Sequence, residues 1–216
     1  MILNQHGINA QSGGVAPDEV VIGGRTYHTV TIGSRIWLVE NLQYEWVGLD
    51  VSTVDNPISG TPNTPTAWYY NNDKATYGLD GPKPCGLLYN GWALAYLINH
   101  PELLPDGWRV PNQADAIALT TTATSDSTHL KCLDNAFVSW PLNWNGDDSL
   151  GLSLVPSGFR NGYGLFNGLD TTGSMWNAYI ANANYHMYYV RDANTTISMV
   201  ETSSLSAIGI RLVRDV

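Results

Sequence analysis

Charge, cysteine and long apolar runs are all scarce in this chain. Only 13% of its 216 residues are Asp, Glu, Lys or Arg, ten of them basic, and the formal net charge is -9. Phosphate neutralisation needs clustered Lys and Arg, so nucleic acid and anionic membranes are poor general partners. No segment approaches the roughly 18 consecutive apolar residues of a membrane span. Residues 1–16, "MILNQHGINAQSGGVA", lack the basic start and apolar stretch of a secretory signal. Two cysteines, Cys85 and Cys132, could form one disulfide but not a disulfide framework. Two reduced, partly buried thiols are the simpler expectation.

What the chain does have is aromatic and turn-forming: eight Trp, twelve Tyr and 21 Gly. Uncharged polar residues dominate its surface, as in a loop-rich globular protein. A chain this long buries roughly 70% of its unfolded surface in one domain. Residues 1–18 are polar and aperiodic, an arm for docking or oligomerisation, and the folded domain spans 19–216. "VVIGGRTYHTVTIGSRIWLVENL" alternates β-formers around Gly23-Gly24 and Gly33-Ser34, predicting strands joined by tight turns.

Residues 48–83 form a long Pro/Gly/Asn-rich stretch carrying Trp68, Tyr69 and Tyr70. Helical spacing in 86–100 places Leu88, Trp92, Ala95 and Tyr96 on one face, and a second helix is predicted from about Asn112 through Leu119. Between them, Pro105-Asp106-Gly107 closes a turn, Trp108 is expected to cover the seam of the two helices, and Pro111 halts the strand-like "WRV". The C-terminal part reads as three short strands, with turn clusters at 192–194 and 203–204. The fold class is therefore α+β, its N- and C-terminal strands pairing to close the domain.

Nothing in the pattern favours catalysis. His6, His28, His100, His129 and His186 are dispersed, without a ligand partner at i+2 or i+4, and no local signature surrounds either cysteine. Asp147, Asp148 and Asp170 read as solvated turn residues. Arg109 and Arg160 read as loop-tying arginines, forked onto carbonyls or carboxylates. No metal or cofactor is expected.

The aromatic-polar segment 176–189, "WNAYIANANYHMYY", is the candidate binding surface, comprising Trp176, Asn177, Tyr179, Asn182, Asn184, Tyr185, His186, Tyr188 and Tyr189. In an alternating strand Tyr185, Met187 and Tyr189 share one side and His186, Tyr188 and Val190 the other, leaving one aromatic row open. Tyr supplies rigid contact area and Asn adaptable hydrogen bonds, although a structural edge would use the same composition.

"TIGSRIWLVENL", "YNNDKATYGL", "GLLYNGWAL", "LPDGWRVPNQADAIAL", "GLSLVPSGFRNGYGLF" and "IGIRLVRD" occur in that order. Together they resemble the Fibrobacter succinogenes major paralogous domain family over residues 22–216. The resemblance implies a C-type-lectin-like domain with two helices, short antiparallel sheets and long loops. It also relates the chain to retroelement-diversified variable proteins of phages and bacteria, which display diversified residues on the C-terminal face.

Two departures stand out: Trp176-Asn177-Ala178 replaces the usual Trp-Ser-Ser, and the chain opens on an arm where many members carry a secretion signal. The Glu-Pro-Asn, Gln-Pro-Asp and Trp-Asn-Asp tripeptides of calcium-dependent sugar binders are absent. So are the C-terminal paired cysteines of the formylglycine-generating enzymes that share this kind of fold.

The expectation is a non-enzymatic binding domain on a phage virion, a fibre or decoration component recognising a host-surface glycan or protein. The arm would meet other virion proteins or sister subunits, with a homotrimer the natural symmetry. A bacterial surface or secreted adhesion module and a purely structural virion stabiliser remain the alternatives.

Overall fold

The computed structural model describes residues 18–53, 64–133, 144–181, 184–192 and 194–216, with the backbone alone at 179–181 and 184. Apart from Asp18, the expected arm lies outside the described residues.

Strands β1 (Glu19–Ile22), β2 (Arg25–Ile32) and β3 (Arg35–Leu38) form an antiparallel meander. Gly23 and Gly24 both take positive φ, +58° and +80°, so the reversal between β1 and β2 needs residues free of a Cβ penalty. Space demands the same at Gly23, where a Cβ would lie 2.2 Å from the Tyr44 ring. The C-terminal β13 (Val213–Asp215) pairs with β3, Val213 opposite Trp37, and closes the domain as the sequence predicts.

The central sheet contains β4 (Asp50–Val51), β5 (Thr66–Trp68), β6 (Leu88–Asn90), β7 (Ser157–Arg160), β8 (Phe166–Leu169) and β12 (Ala207–Ile208). Their order is β4-β5-β6-β12-β7-β8. A third sheet, ordered β11-β10-β9, is built from β9 (Thr172–Ala181), β10 (Asn184–Arg191) and β11 (Ser198–Thr202). The segment expected as one strand over 176–189 is thus two, reversing between Ala181 and Asn184, which lie opposite each other. Sheets predominate and helices are few, an α+β composition.

The helices are α1 (Lys74–Tyr77), α2 (Gly91–Asn99) and α3 (Gln113–Thr122). Helix α2 starts later than predicted because Leu88 belongs to β6; Asn90 caps it, its side-chain oxygen accepting from Ala93 N at 2.8 Å. Its buried stripe is Ala93, Leu94 and Leu97, so the row Trp92, Ala95 and Tyr96 lies on the less buried side. Both stripes satisfy a 3.6-residue period, and periodicity alone cannot choose between them. The choice is made at the helix entry, where Gly91 lies so close to Ser204 that a Cβ would come within 2.7 Å of its Cα.

Helix α3 begins at a capping box: Asn112 Oδ1 accepts from Asp115 N at 3.1 Å, and Asp115 Oδ2 accepts from Asn112 N at 2.8 Å. Pro111 stands just before that cap, and its carbonyl accepts from Ala178 N at 2.7 Å, fastening the helix entrance to β9. Trp108 does not cover an α2–α3 seam. It packs in the large cluster containing Leu94 and Leu97, with the Arg214 guanidinium 5.6 Å above its ring, because Arg109 pairs with Val213 and draws the segment onto β13.

Buried cations tie the loops together. Arg211, fully buried, donates to Asn41 Oδ1 (2.9 Å), Ser153 O (3.0 Å) and Leu152 O, and desolvation lowers its pKa to about 10. Lys131, equally buried, donates to Asp192 O and Asn194 O at 3.0 and 2.8 Å, with its ammonium 5.0 Å from the Trp144 ring. Cys85 and Cys132 are not joined in a disulfide; both are buried in one cluster with Trp144, and burial pushes the Cys85 thiol well up.

Candidate functional site

The β9–β11 sheet carries the predicted recognition residues, and its two faces are packed against different parts of the core. On one face Trp176 and Met187 enter the large cluster, with Tyr185, Tyr189 and Val200 packed beside them. On the other, Met175 and Tyr188 join Ala116 and Leu119 of α3 and Ala123 at its C-cap. The alternation read from the sequence is correct. Covering both faces nevertheless removes the open aromatic row it implied.

Three of the predicted contacts are therefore anchors. Trp176 is fully buried and donates from Nε1 to Tyr89 O at 2.6 Å, riveting β9 to β6. Tyr188 donates to Ala116 O at 3.2 Å and shares a hydrogen bond with Thr120 Oγ1; burial raises its hydroxyl pKa to about 12. Asn177 is buried, its amide against Met199 Sδ. None of the three presents a ligand-accessible side chain. Tyr179, Asn182 and Asn184 lie outside the described side chains.

Tyr185, His186 and Tyr189 are the predicted residues that stay half-buried at the rim. Tyr185 meets Trp176 edge-on at 5.9 Å, which orients it without enclosing it. Tyr189 accepts a hydrogen bond from Arg191 Nε, whose guanidinium also sits 5.2 Å from the ring. His186 lies opposite Glu201 in the β10–β11 register, their side chains 4.0 Å apart.

Sequence reasoning missed Met199 and Glu201, both exposed on the edge strand β11. The alternation in "SMVET" was the available signal, visible only once that stretch is recognised as the neighbour of 184–191. A register shift between Tyr185 and His186 marks a bulge in the β9–β10 pairing. Bulges of this kind re-aim side chains and strengthen local twist.

One cluster among the described residues has a catalytic-looking composition. The His129, Asp147 and Ser149 group has a superficial triad composition. Asp147 Oδ2 and Ser149 Oγ both meet Nδ1 of His129, each at 2.9 Å, so the ring cannot pass a proton between them through its two nitrogens. Among the described residues no group of three or more His, Cys, Asp or Glu could hold a metal ion.

Asp170 is bound by Lys83 Nζ at 2.6 Å, and Asp148 accepts from Ser153 N at 2.7 Å, so neither is the solvated turn residue expected. Arg109 and Arg160 do tie structure together: Arg109 forks onto Asp115, and Arg160 stacks 4.2 Å from the Trp68 ring. Trp68, Tyr69 and Tyr70 are buried. No helix among the described residues is long and apolar enough to cross a membrane.

No curated protein and no solved structure matches the chain. The family model described as the Fibrobacter succinogenes major domain matches residues 30–214, from the middle of β2 to β13. That span contains every element from β3 to β12, both buried cations and the third sheet, and the chain belongs to the Fibrobacter succinogenes major domain family.

Proposed function

We propose that this chain is a non-enzymatic recognition domain of C-type-lectin-like fold, displayed on a phage virion as a fibre or decoration component that contacts a host-surface glycan or protein. The observation that carries the reading is the construction of the β9–β11 sheet. Trp176 and Tyr188 root it in the core from opposite faces, while Tyr185, Tyr189, Met199 and Glu201 stay at an accessible rim. Rigid support beneath partly exposed tyrosines is what low-entropy recognition requires.

Binding of the purified protein to intact candidate host cells tests this, comparing wild type with Tyr185→Ala/Tyr189→Ala/Glu201→Ala, with and without chelator. Chelator-resistant binding that the triple change reduces at least tenfold is expected. A well-folded wild type that binds no candidate cell, or a triple variant that binds as well as wild type, overturns it.

A second reading is favoured by the edge position of β11. Its exposed Met199 and its outer side, unpaired among the described residues, suit a contact with a sister subunit, as in a virion stabiliser or a homotrimer. Light scattering separates the two: Met199→Glu breaks an assembly built through β11 and leaves a monomeric recognition domain unaffected.

A further inference from the structure

Seven of the eight tryptophans lie among the described residues, and six of these, Trp37, Trp46, Trp68, Trp108, Trp144 and Trp176, are at most 8% exposed. Trp92 is the exception. It stands half-buried in the first turn of α2, on the stripe turned away from Ala93, Leu94 and Leu97. It makes neither a hydrogen bond nor a ring contact with any described residue. A fold that uses the other described tryptophans as core has left this indole open.

The surroundings of Trp92 are organised. One turn along, Tyr96 is held between Trp46, parallel at 6.1 Å, and His100 at 4.1 Å. Trp46 stacks in turn on Tyr89 at 5.7 Å, so a column of rings runs from β6 to the surface and fixes the floor beside Trp92. Trp92, Tyr96, Asn99, His100 and Gly48 line a shallow cleft of about 340 Å³, at the small end of ligand sites. Val47, next to Gly48, is 98% exposed, which extends the apolar surface around the cleft.

The polar groups identify a ligand class. Asn99 uses its amide nitrogen on Ala95 O at 2.8 Å, which leaves Oδ1 to accept. His100 Nδ1 is engaged by Glu102 at 2.8 Å, so Nε2 is its remaining polar atom. Among the described residues Trp92 Nε1–H is a donor without a partner, and neither a carboxylate nor a Lys or Arg lines the cleft, so the described lining offers no fixed charge to a charged ligand or a cation. A flat apolar platform ringed by neutral donors and acceptors matches a pyranose ring, whose C–H face packs on an indole while its hydroxyls hydrogen-bond at the edge.

We propose that the outer face of α2 is a metal-independent binding site for one or two rings of a neutral hexose glycan, with Trp92 as the stacking platform. This names a ligand class for a binding domain as read above. It uses none of the β9–β11 rim residues, so the two readings fail independently.

The test is an NMR titration of the full-length, ¹⁵N-labelled protein, following indole N–H resonances, with the Trp92 signal assigned as the one missing from Trp92→Phe. Probes are cellotetraose, maltotetraose and chitotetraose, with decaproline as the competing apolar ligand. We expect at least one oligosaccharide to shift the Trp92 resonance saturably and in the presence of EDTA. Trp92→Ala should weaken binding at least tenfold.

No shift with any sugar at about 10 mM, beyond the millimolar range of weak glycan sites, overturns the proposal. So does undiminished binding by Trp92→Ala, or a response to decaproline alone. Should Trp92→Ala disturb the other indole signals, the wild-type titration and Trp92→Phe decide. A Trp92 shift in a protein that binds no host cell would sink only the virion-recognition reading.

Discussion

Asp115→Asn is the sharpest test of how the fold is held, because one buried carboxylate joins three elements. Arg35 of β3 donates from Nε to Asp115 Oδ1 at 2.6 Å, and Arg109, bridged to β13, donates from Nη2 to the same oxygen at 3.0 Å and from Nη1 to Oδ2. The α3 capping box uses Oδ2 as well. Burial would raise the pKa of this carboxyl, but the hydrogen bonds and charges of Arg109 and Arg35 outweigh it, bringing the pKa down from 3.8 to about 2.

Asparagine keeps the shape and removes the charge, leaving two guanidiniums to share the exposed Asp215, which is 3.3 Å from Arg35 Nε and 3.4 Å from Arg109 Nη2. Breaking a buried pair costs about 3–5 kcal/mol, and the lower end applies because both arginines keep partial access to water. About 3 kcal/mol corresponds to a fall in Tm of roughly 6–12 °C for a domain of this size.

The pH dependence gives a second readout. A depressed native pKa contributes stability above the unfolded value that disappears as pH falls from about 4 to about 2, about 2 kcal/mol here. Other carboxylates are depressed too, so the informative quantity is the wild type minus variant difference in urea unfolding between pH 2 and 5. It should shrink steadily toward pH 2. A variant within 1 kcal/mol of wild type at pH 7, or a difference that is flat with pH, refutes the assignment of Asp115 as the hub.

Asp148 behaves in the opposite sense. Burial raises its pKa from 3.8 to about 6 despite the Ser153 hydrogen bonds, so the native state holds a proton longer and stability declines as pH rises from about 4 to 6. Asp148→Asn should abolish that decline and lose nothing at pH 7, as followed by urea midpoints across the interval. Lys131→Met strips two buried carbonyls of their donor and should cost about 2–3 kcal/mol, with hydrogen exchange in 194–196 accelerating more than elsewhere. Gly146→Ala places a Cβ 1.9 Å from Cys132 O and 2.5 Å from Lys131 O; neither atom can retreat, so about 3 kcal/mol or more should be lost in thermal unfolding.

Elements specified by local chemistry were legible in the sequence. The Gly-Gly reversal between β1 and β2 and the Asn112 cap of α3 depend on residues within a few positions of one another, and both are where the sequence places them. The arginine fork was half legible. Arg109 and its carboxylate are six residues apart, whereas Arg35 arrives from 80 residues away and nothing near it signals the destination. The rotation of α2 and the doubling of 176–189 into two strands were illegible, because each is decided by a long-range partner: Ser204 against Gly91 in the first case, β11 and α3 against β10 in the second.

The recognition surface raises the same difficulty in sharper form. Trp176, Tyr188 and Tyr189 belong to one aromatic run, yet two are anchors and one is at the rim. Alternation assigns a side chain to a face and is silent about whether that face is covered. A sheet packed on both faces buries either parity, and the accessible positions are then those where a neighbour is missing, as on the outer side of β11 or along Trp92 of α2. Surface aromatics are thus identified by what fails to pack against them, a property of the whole fold that composition and period do not encode.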